Sequence, residues 1–196
     1  MWFTSANSLA IVAVILAYAL FALPFLFRGR TGDASSGTPA KRDRISLIGV
    51  IIQGVAFAFI YIGVVKPGPF AFDRATIEEA AVPSLLALSS LLLFWWAYLT
   101  LGSNWSVVAR VREDHGLVTR GPFAIVRNPI YLAMFMMLVA AALALGHVQM
   151  LIFAVPFFFI GTVIRVLREE RLLRAQFGAA YDAYAARTSR LVPGIW

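Results

Sequence analysis

Five stretches of this chain carry no charged side chain: residues 8–27, 45–65, 83–101, 129–145 and 150–164. A helix rises about 1.5 Å per residue, so roughly twenty apolar residues suffice to cross a hydrocarbon core about 30 Å thick. The pattern predicts an all-α integral membrane protein with about five transmembrane helices, a bundle surrounded by lipid. Composition agrees, since 61% of the 196 residues are hydrophobic and 14% charged. The mean hydropathy of +0.81 is well above that of a soluble domain.

Between the runs the chain is punctuated by polar and helix-breaking residues. Residues 28–44 are rich in Gly, Ser, Thr and basic side chains, with Pro39, and read as a polar loop. Lys66-Pro67-Gly68-Pro69 is expected to stop the second span near residue 65, and Pro83 to open the third. Trp95, Trp96 and Tyr98 near the end of the third run, with Trp105 just beyond, suit a belt of aromatics at a membrane interface. Residues 146–149 allow only a tight turn, so the fourth and fifth runs form a helical hairpin over 129–164, with Pro156 and Gly161 tolerated inside its second arm. The first run is expected to be retained rather than cleaved, because the residues before Ser8 are uncharged. Residues 1–101 thus form an N-terminal set of three spans, and residues 102–196 a connector, the hairpin and an amphipathic basic tail broken at Phe177-Gly178.

Charge gives the bundle a direction. Of 17 Lys and Arg, 15 fall in segments 28–44, 102–128 and 165–196, which five spans put on one side. The positive-inside rule makes that side the cytoplasm, with the N-terminus external and the C-terminus cytoplasmic. Membrane topology therefore accounts for the net charge of +7 without a nucleic-acid surface. Cysteine is absent and only His115 and His147 are present, so thiolate chemistry is excluded and no metal site is expected.

The hairpin brings distant polar residues to one depth. Arg127 and Tyr131 at its start and Arg165, Glu169 and Glu170 at its end lie about equally far from the turn. Pro129 suits the first helical position, and the free amides of that turn suit an anionic group. Each element also has an ordinary reading. Arg165 with Glu169, and Glu170 with Arg174, are favourable i,i+4 ion pairs; Arg127 alone suits lipid phosphate; Gly121-Pro122 alone is a turn.

Their order is what carries meaning. LVTRGPFAIVRNPIYL, a membrane hairpin, then REERLLRAQFGAAYDAYAARTSRLVP resembles the isoprenylcysteine carboxyl methyltransferase family and, more distantly, the phospholipid N-methyltransferases. The shared features are a Gly-Pro-aromatic turn, Arg-x-Pro-x-Tyr, the double glutamate, Phe-Gly-x-x-Tyr-x-x-Tyr and a closing Arg-Leu-x-Pro, over roughly residues 101–193. The resemblance implies an S-adenosylmethionine site enclosed by the connector, the hairpin and the C-terminal helix. It assigns His115, Leu117, Val118, Gly121 and Pro122 to the cofactor, with Tyr131, Glu169 and Glu170 completing the site, and gives Arg127, Arg165 and Tyr131 catalytic roles. Asn128 departs from the family pattern, which carries histidine there.

Methyl transfer from a sulfonium is an in-line displacement that rests on positioning and the exclusion of water. A carboxylate acceptor is ionised at neutral pH and needs no general base, whereas an amine must first lose a proton. The expected activity is methylation of a lipophilic acceptor drawn from membrane lipids or prenylated molecules, with carboxyl O-methylation of an isoprenylcysteine-like substrate leading. Phospholipid amine methylation is the alternative within enzymes, and a non-catalytic binding protein or transporter the alternative outside them. Transporters place polar groups near the bilayer midplane, and the fourth and fifth runs are charge-free there.

Overall fold

The computed structural model describes residues 5–28, 44–68, 70–102 and 116–194. They form six helices: α1 Ser8–Arg28, α2 Arg44–Ile60, α3 Arg74–Leu101, α4 Pro129–Ala144, α5 Leu151–Phe177 and α6 Ala179–Ala185. Short 3-10 turns occupy Gly121–Ala124 and Val148–Met150. Strands are absent among the described residues; two isolated bridges, Ala6 to Pro67 and Val126 to Ser189, join loops. The protein is all-helical.

Two helices are long and apolar enough to cross a membrane, Arg74–Leu101 and Val148–Phe177. Ser8–Pro24, Ile45–Ile60 and Pro129–Ala144 are apolar but shorter, so of the five runs expected to span, two have the length. The outward faces carry Leu16, Ile51, Leu85, Leu92, Leu99 and Ile152, all exposed. Apolar surface this extensive suits lipid, which is as apolar as leucine.

Two helix limits differ from the expected ones. The second helix ends at Ile60 rather than near residue 65, because Gly63 takes φ +124° and the chain leaves the helix before the prolines. The third begins at Arg74 rather than Pro83, because Asp73 caps it: its carboxylate accepts from the Thr76 amide at 3.0 Å and the Thr76 hydroxyl at 2.9 Å. Pro83 then sits inside α3, where it forfeits one helix bond but buries its ring completely.

The helices alternate in direction, and small residues decide which pairs lie close. The antiparallel pair α2 and α5 crosses at Gly49 and Gly161, where a Cβ on Gly161 would come within 2.7 Å of the Gly49 carbonyl oxygen. A similar pair, α3 with α4, meets across Ala87, Ser90 and Ala97 on one side and Ala133, Ala140, Ala141 and Ala144 on the other, all buried. Ser90 Oγ donates to the Ala133 carbonyl at 2.6 Å. Such small residues let backbones approach and hydrogen-bond in lipid. The expected hairpin of α4 and α5 exists but is splayed. Phe135 faces Phe158 at 5.6 Å and Phe159 at 5.2 Å between ring centroids, so a layer of aromatic rings holds the two arms apart. Each arm has its close partner elsewhere.

The two ends of the bundle differ. At one end the N-terminal segment, the α2–α3 linker and the α4–α5 turn lock together: Asn7 N donates to Ala144 O at 2.9 Å, Gly68 N to Ala6 O at 3.2 Å, and His147 Nδ1 lies 2.8 Å from Ile60 O. At the other end, residues 116–128 meet the tail after α5. The polar residues of interest gather there.

Candidate functional site

The floor of this end is laid by the connector. Gly121 has φ +61°, and a Cβ there would fall 2.8 Å from Thr100 Oγ1 and 3.2 Å from Trp96 Nε1, so both conformation and space require glycine. The Gly-Pro turn thereby nests against the end of α3, with Pro122, Phe123 and Val126 buried. Leu117 and Val118 precede it, both half-buried.

The tail closes over the connector. After Gly178, at φ +50°, α6 folds back, and the Tyr184 hydroxyl donates to the Phe123 carbonyl at 2.7 Å. Burial pushes the Tyr184 phenol up to about 12. Beyond α6 the chain runs beside the entry to α4: Arg127 N donates to Ser189 O at 2.8 Å, and Asn128 N and Nδ2 donate to Arg190 O at 3.1 and 2.9 Å. These two backbone amides precede the first turn of α4, and the tail carbonyls occupy them. Asn128, at the family's histidine position, serves as a clamp on the tail.

The side chains fall into two clusters. In the first, the Tyr131 hydroxyl donates to Glu169 Oε1 at 2.5 Å, Arg165 Nη2 lies 3.7 Å from the same oxygen, and the Arg165 guanidinium carbon sits 5.1 Å from the centroid of the Tyr131 ring. Both contacts use Oε1. The Glu169 side chain keeps 28% exposure against 10% for Arg165. In the second, Glu170 sits between two arginines, with Arg127 Nε and Arg190 Nε each 3.1 Å from its Oε1. Arg127 Nη1 also donates to the carbonyls of Ala185 and Thr188, capping the end of α6. Glu170 and Arg127 are nearly inaccessible, at 6% and 10% side-chain exposure.

The double glutamate is therefore split by function of place. Neighbours on a helix point about 100° apart, so Glu169 turns to Tyr131 and Arg165 while Glu170 turns to the tail. Of the predicted residues, Tyr131, Arg165 and Glu169 converge, and Arg127 and Glu170 form a separate knot. Gly121 and Pro122 shape the floor, and His115 lies outside the described residues. The expected Arg165–Glu169 pair is present, but Arg174 pairs with Asp182 at 2.7 Å rather than with Glu170, because Glu170 is drawn inward while Arg174 is half-exposed beside α6. Sequence reasoning overlooked Arg190, although it lies in the Arg-Leu-x-Pro motif, and Gln53, the one amide side chain in the uncharged α2 run.

The family model for phospholipid methyltransferases matches residues 79–180, just over half of the chain. The chain belongs to that family. It is thus a membrane methyltransferase, in a family that includes the isoprenylcysteine carboxyl methyltransferases and whose members typically use S-adenosylmethionine. No curated protein matches the chain. The matched stretch runs from the early turns of α3 into α6 and contains both clusters apart from Arg190, while α1 and α2 lie outside it.

Proposed function

We propose that the protein transfers a methyl group from S-adenosylmethionine to a lipophilic acceptor at the cytoplasmic membrane interface, by carboxyl O-methylation of an isoprenylcysteine-like substrate. The observation that carries this reading is the Tyr131–Arg165–Glu169 cluster at the mouth of the splayed hairpin. Glu169 fits a cofactor with cationic groups: Tyr131 and Arg165 hold its carboxylate in place, and its partly exposed side chain can meet a sulfonium or ammonium. Leu117, Val118, Gly121 and Pro122 complete the cofactor side, with His115 assigned there by the family resemblance alone. Glu170 and Arg127 act indirectly, by holding the tail against the entry of α4.

Bound S-adenosylmethionine supplies an electrophilic methyl carbon. Arg165 would orient the acceptor carboxylate toward that carbon, and transfer would give a methyl ester and S-adenosylhomocysteine. Positioning and dryness supply most of the rate. An already ionised nucleophile fits a site in which Asn128 replaces the histidine and spends its amide on the tail.

Topology supports the same picture. The clusters share one end of the bundle with Arg120, Arg127, Arg168, Arg187 and Arg190, the excess that marks the cytoplasmic side. At such an interface a lipid acceptor enters from the side and the cofactor from water.

A second reading, methylation of a phospholipid amine, is favoured by Glu169 itself, since its carboxylate can accept the amine proton. Purified protein given radiolabelled cofactor with a prenylcysteine in one reaction and phosphatidylethanolamine in another separates them. Label in the prenylcysteine ester supports the first reading; label only in the phospholipid replaces it with the second.

A further inference from the structure

We propose that Gln53 of α2, outside the family-matched region, is the positioning residue that holds Arg165 off Glu169. Gln53 is 2% exposed in a helix with no charged residue between Ile45 and Ile60. A primary amide in such surroundings is costly unless bonded. Its Nε2 donates to Thr162 Oγ1 at 2.8 Å, and its Oε1 accepts from Arg165 Nη1 at 3.4 Å. Chemistry fixes this orientation: a guanidinium only donates, so the amide oxygen must face Arg165 and the amide nitrogen must face the threonine, whose oxygen can accept. The arginine stem is held by the same helix. A Cβ on Gly49 would lie 2.5 Å from Arg165 Cγ, so the stem passes directly over that glycine, and the Gly49–Gly161 crossing brings α2 near enough for Gln53 to reach.

The consequence concerns the far side of the guanidinium. Arg165 comes no nearer to Glu169 than the 3.7 Å between Nη2 and Oε1, too long a contact for the bidentate fork that arginine and carboxylate adopt when free to do so. Gln53 draws one guanidinium nitrogen the other way. Without it, Arg165 swings onto Glu169, engages both oxygens and cancels the carboxylate that a cationic ligand needs. Gln53 thus keeps Glu169 available, from a helix that touches no ligand.

The inference rests on reading Tyr131, Arg165 and Glu169 as the ligand-facing cluster. Its test is calorimetric binding of S-adenosylhomocysteine to the full chain in detergent, for wild type, Gln53→Met, Gln53→Glu, Arg165→Lys and the Gln53→Met/Arg165→Lys double variant. Methionine keeps the shape and removes the acceptor, and glutamate keeps the acceptor. Gln53→Met should weaken binding about tenfold, Gln53→Glu should bind more tightly than Gln53→Met, and Gln53→Met should change binding less than about twofold once Arg165 is lysine. Equal binding by wild type and Gln53→Met, or an undiminished effect in the lysine background, overturns the role of Gln53 and leaves the site reading intact. No binding by wild type overturns both.

Discussion

Tyr131 and Glu169 stand 38 positions apart in sequence and share a hydrogen bond of 2.5 Å. The bond joins the first turn of α4 to α5 just where the phenylalanine layer ends, so it closes the splayed hairpin at its polar mouth. Tyr131→Phe leaves the ring under Arg165 and removes only the hydroxyl. Methyl transfer should fall about tenfold with little change in melting temperature, as expected for one hydrogen bond to a charged group. Initial-rate assays and thermal scans on the same preparation check this.

The second cluster should answer differently. Glu170→Gln removes the one carboxylate between Arg127 and Arg190, and breaking a buried pair from one side costs on the order of 3 kcal/mol. The melting temperature should drop and protease should reach the tail after α6 sooner. Loss of activity at full stability and unchanged tail protection would count against a framework role.

Gly121→Ala should destabilise the connector by about 1–2 kcal/mol from the left-handed backbone alone, with a further cost from the contact with Thr100. Adding Thr100→Ala should recover the contact cost and leave the backbone cost. Chemical denaturation of the two variants against wild type measures both parts.

Tyr184 gives the tail an alkaline limit. Burial pushes its phenol from the ordinary 10.0 up to about 12 in the folded protein, so the unfolded chain ionises first. The stabilisation is present below pH 10 and is lost as pH rises from 10 to about 12. Tyr184→Phe should lower stability at neutral pH by about 1 kcal/mol, through loss of the bond to Phe123, and flatten the alkaline fall. Tyr181, raised likewise to about 12 by burial and by Glu170, keeps some slope in place. Thermal unfolding across that pH range tests the difference.

How much of this was legible in the sequence follows from the range of each interaction. Uncharged runs announce helices, and the similar distances of Arg127 and Tyr131, and of Arg165, Glu169 and Glu170, from a tight turn predict that they share one level, because a hairpin turns sequence spacing into depth. Helix ends were misplaced where one local contact outweighs a breaker: the Asp73 cap starts α3 nine residues before Pro83. The division of labour between Glu169 and Glu170 was hidden because it depends on the direction of each side chain and on the return of Arg190 from the tail. Gln53 was hidden for the same reason, since nothing in α2 alone tells that Gly161 lets α5 come close. The splay of the hairpin was likewise a matter of ring volume at Phe135, Phe158 and Phe159, which periodicity does not register.

The most direct test of the central claim, that Tyr131, Arg165 and Glu169 face the methyl donor, is equilibrium binding of S-adenosylhomocysteine to wild type and to Glu169→Gln in detergent. Wild type should bind, and the variant, folded to the same melting temperature within error, should bind at least about tenfold more weakly, the scale expected when a charge-assisted contact is lost. Equal affinity in the two proteins, or no binding by wild type, would contradict it.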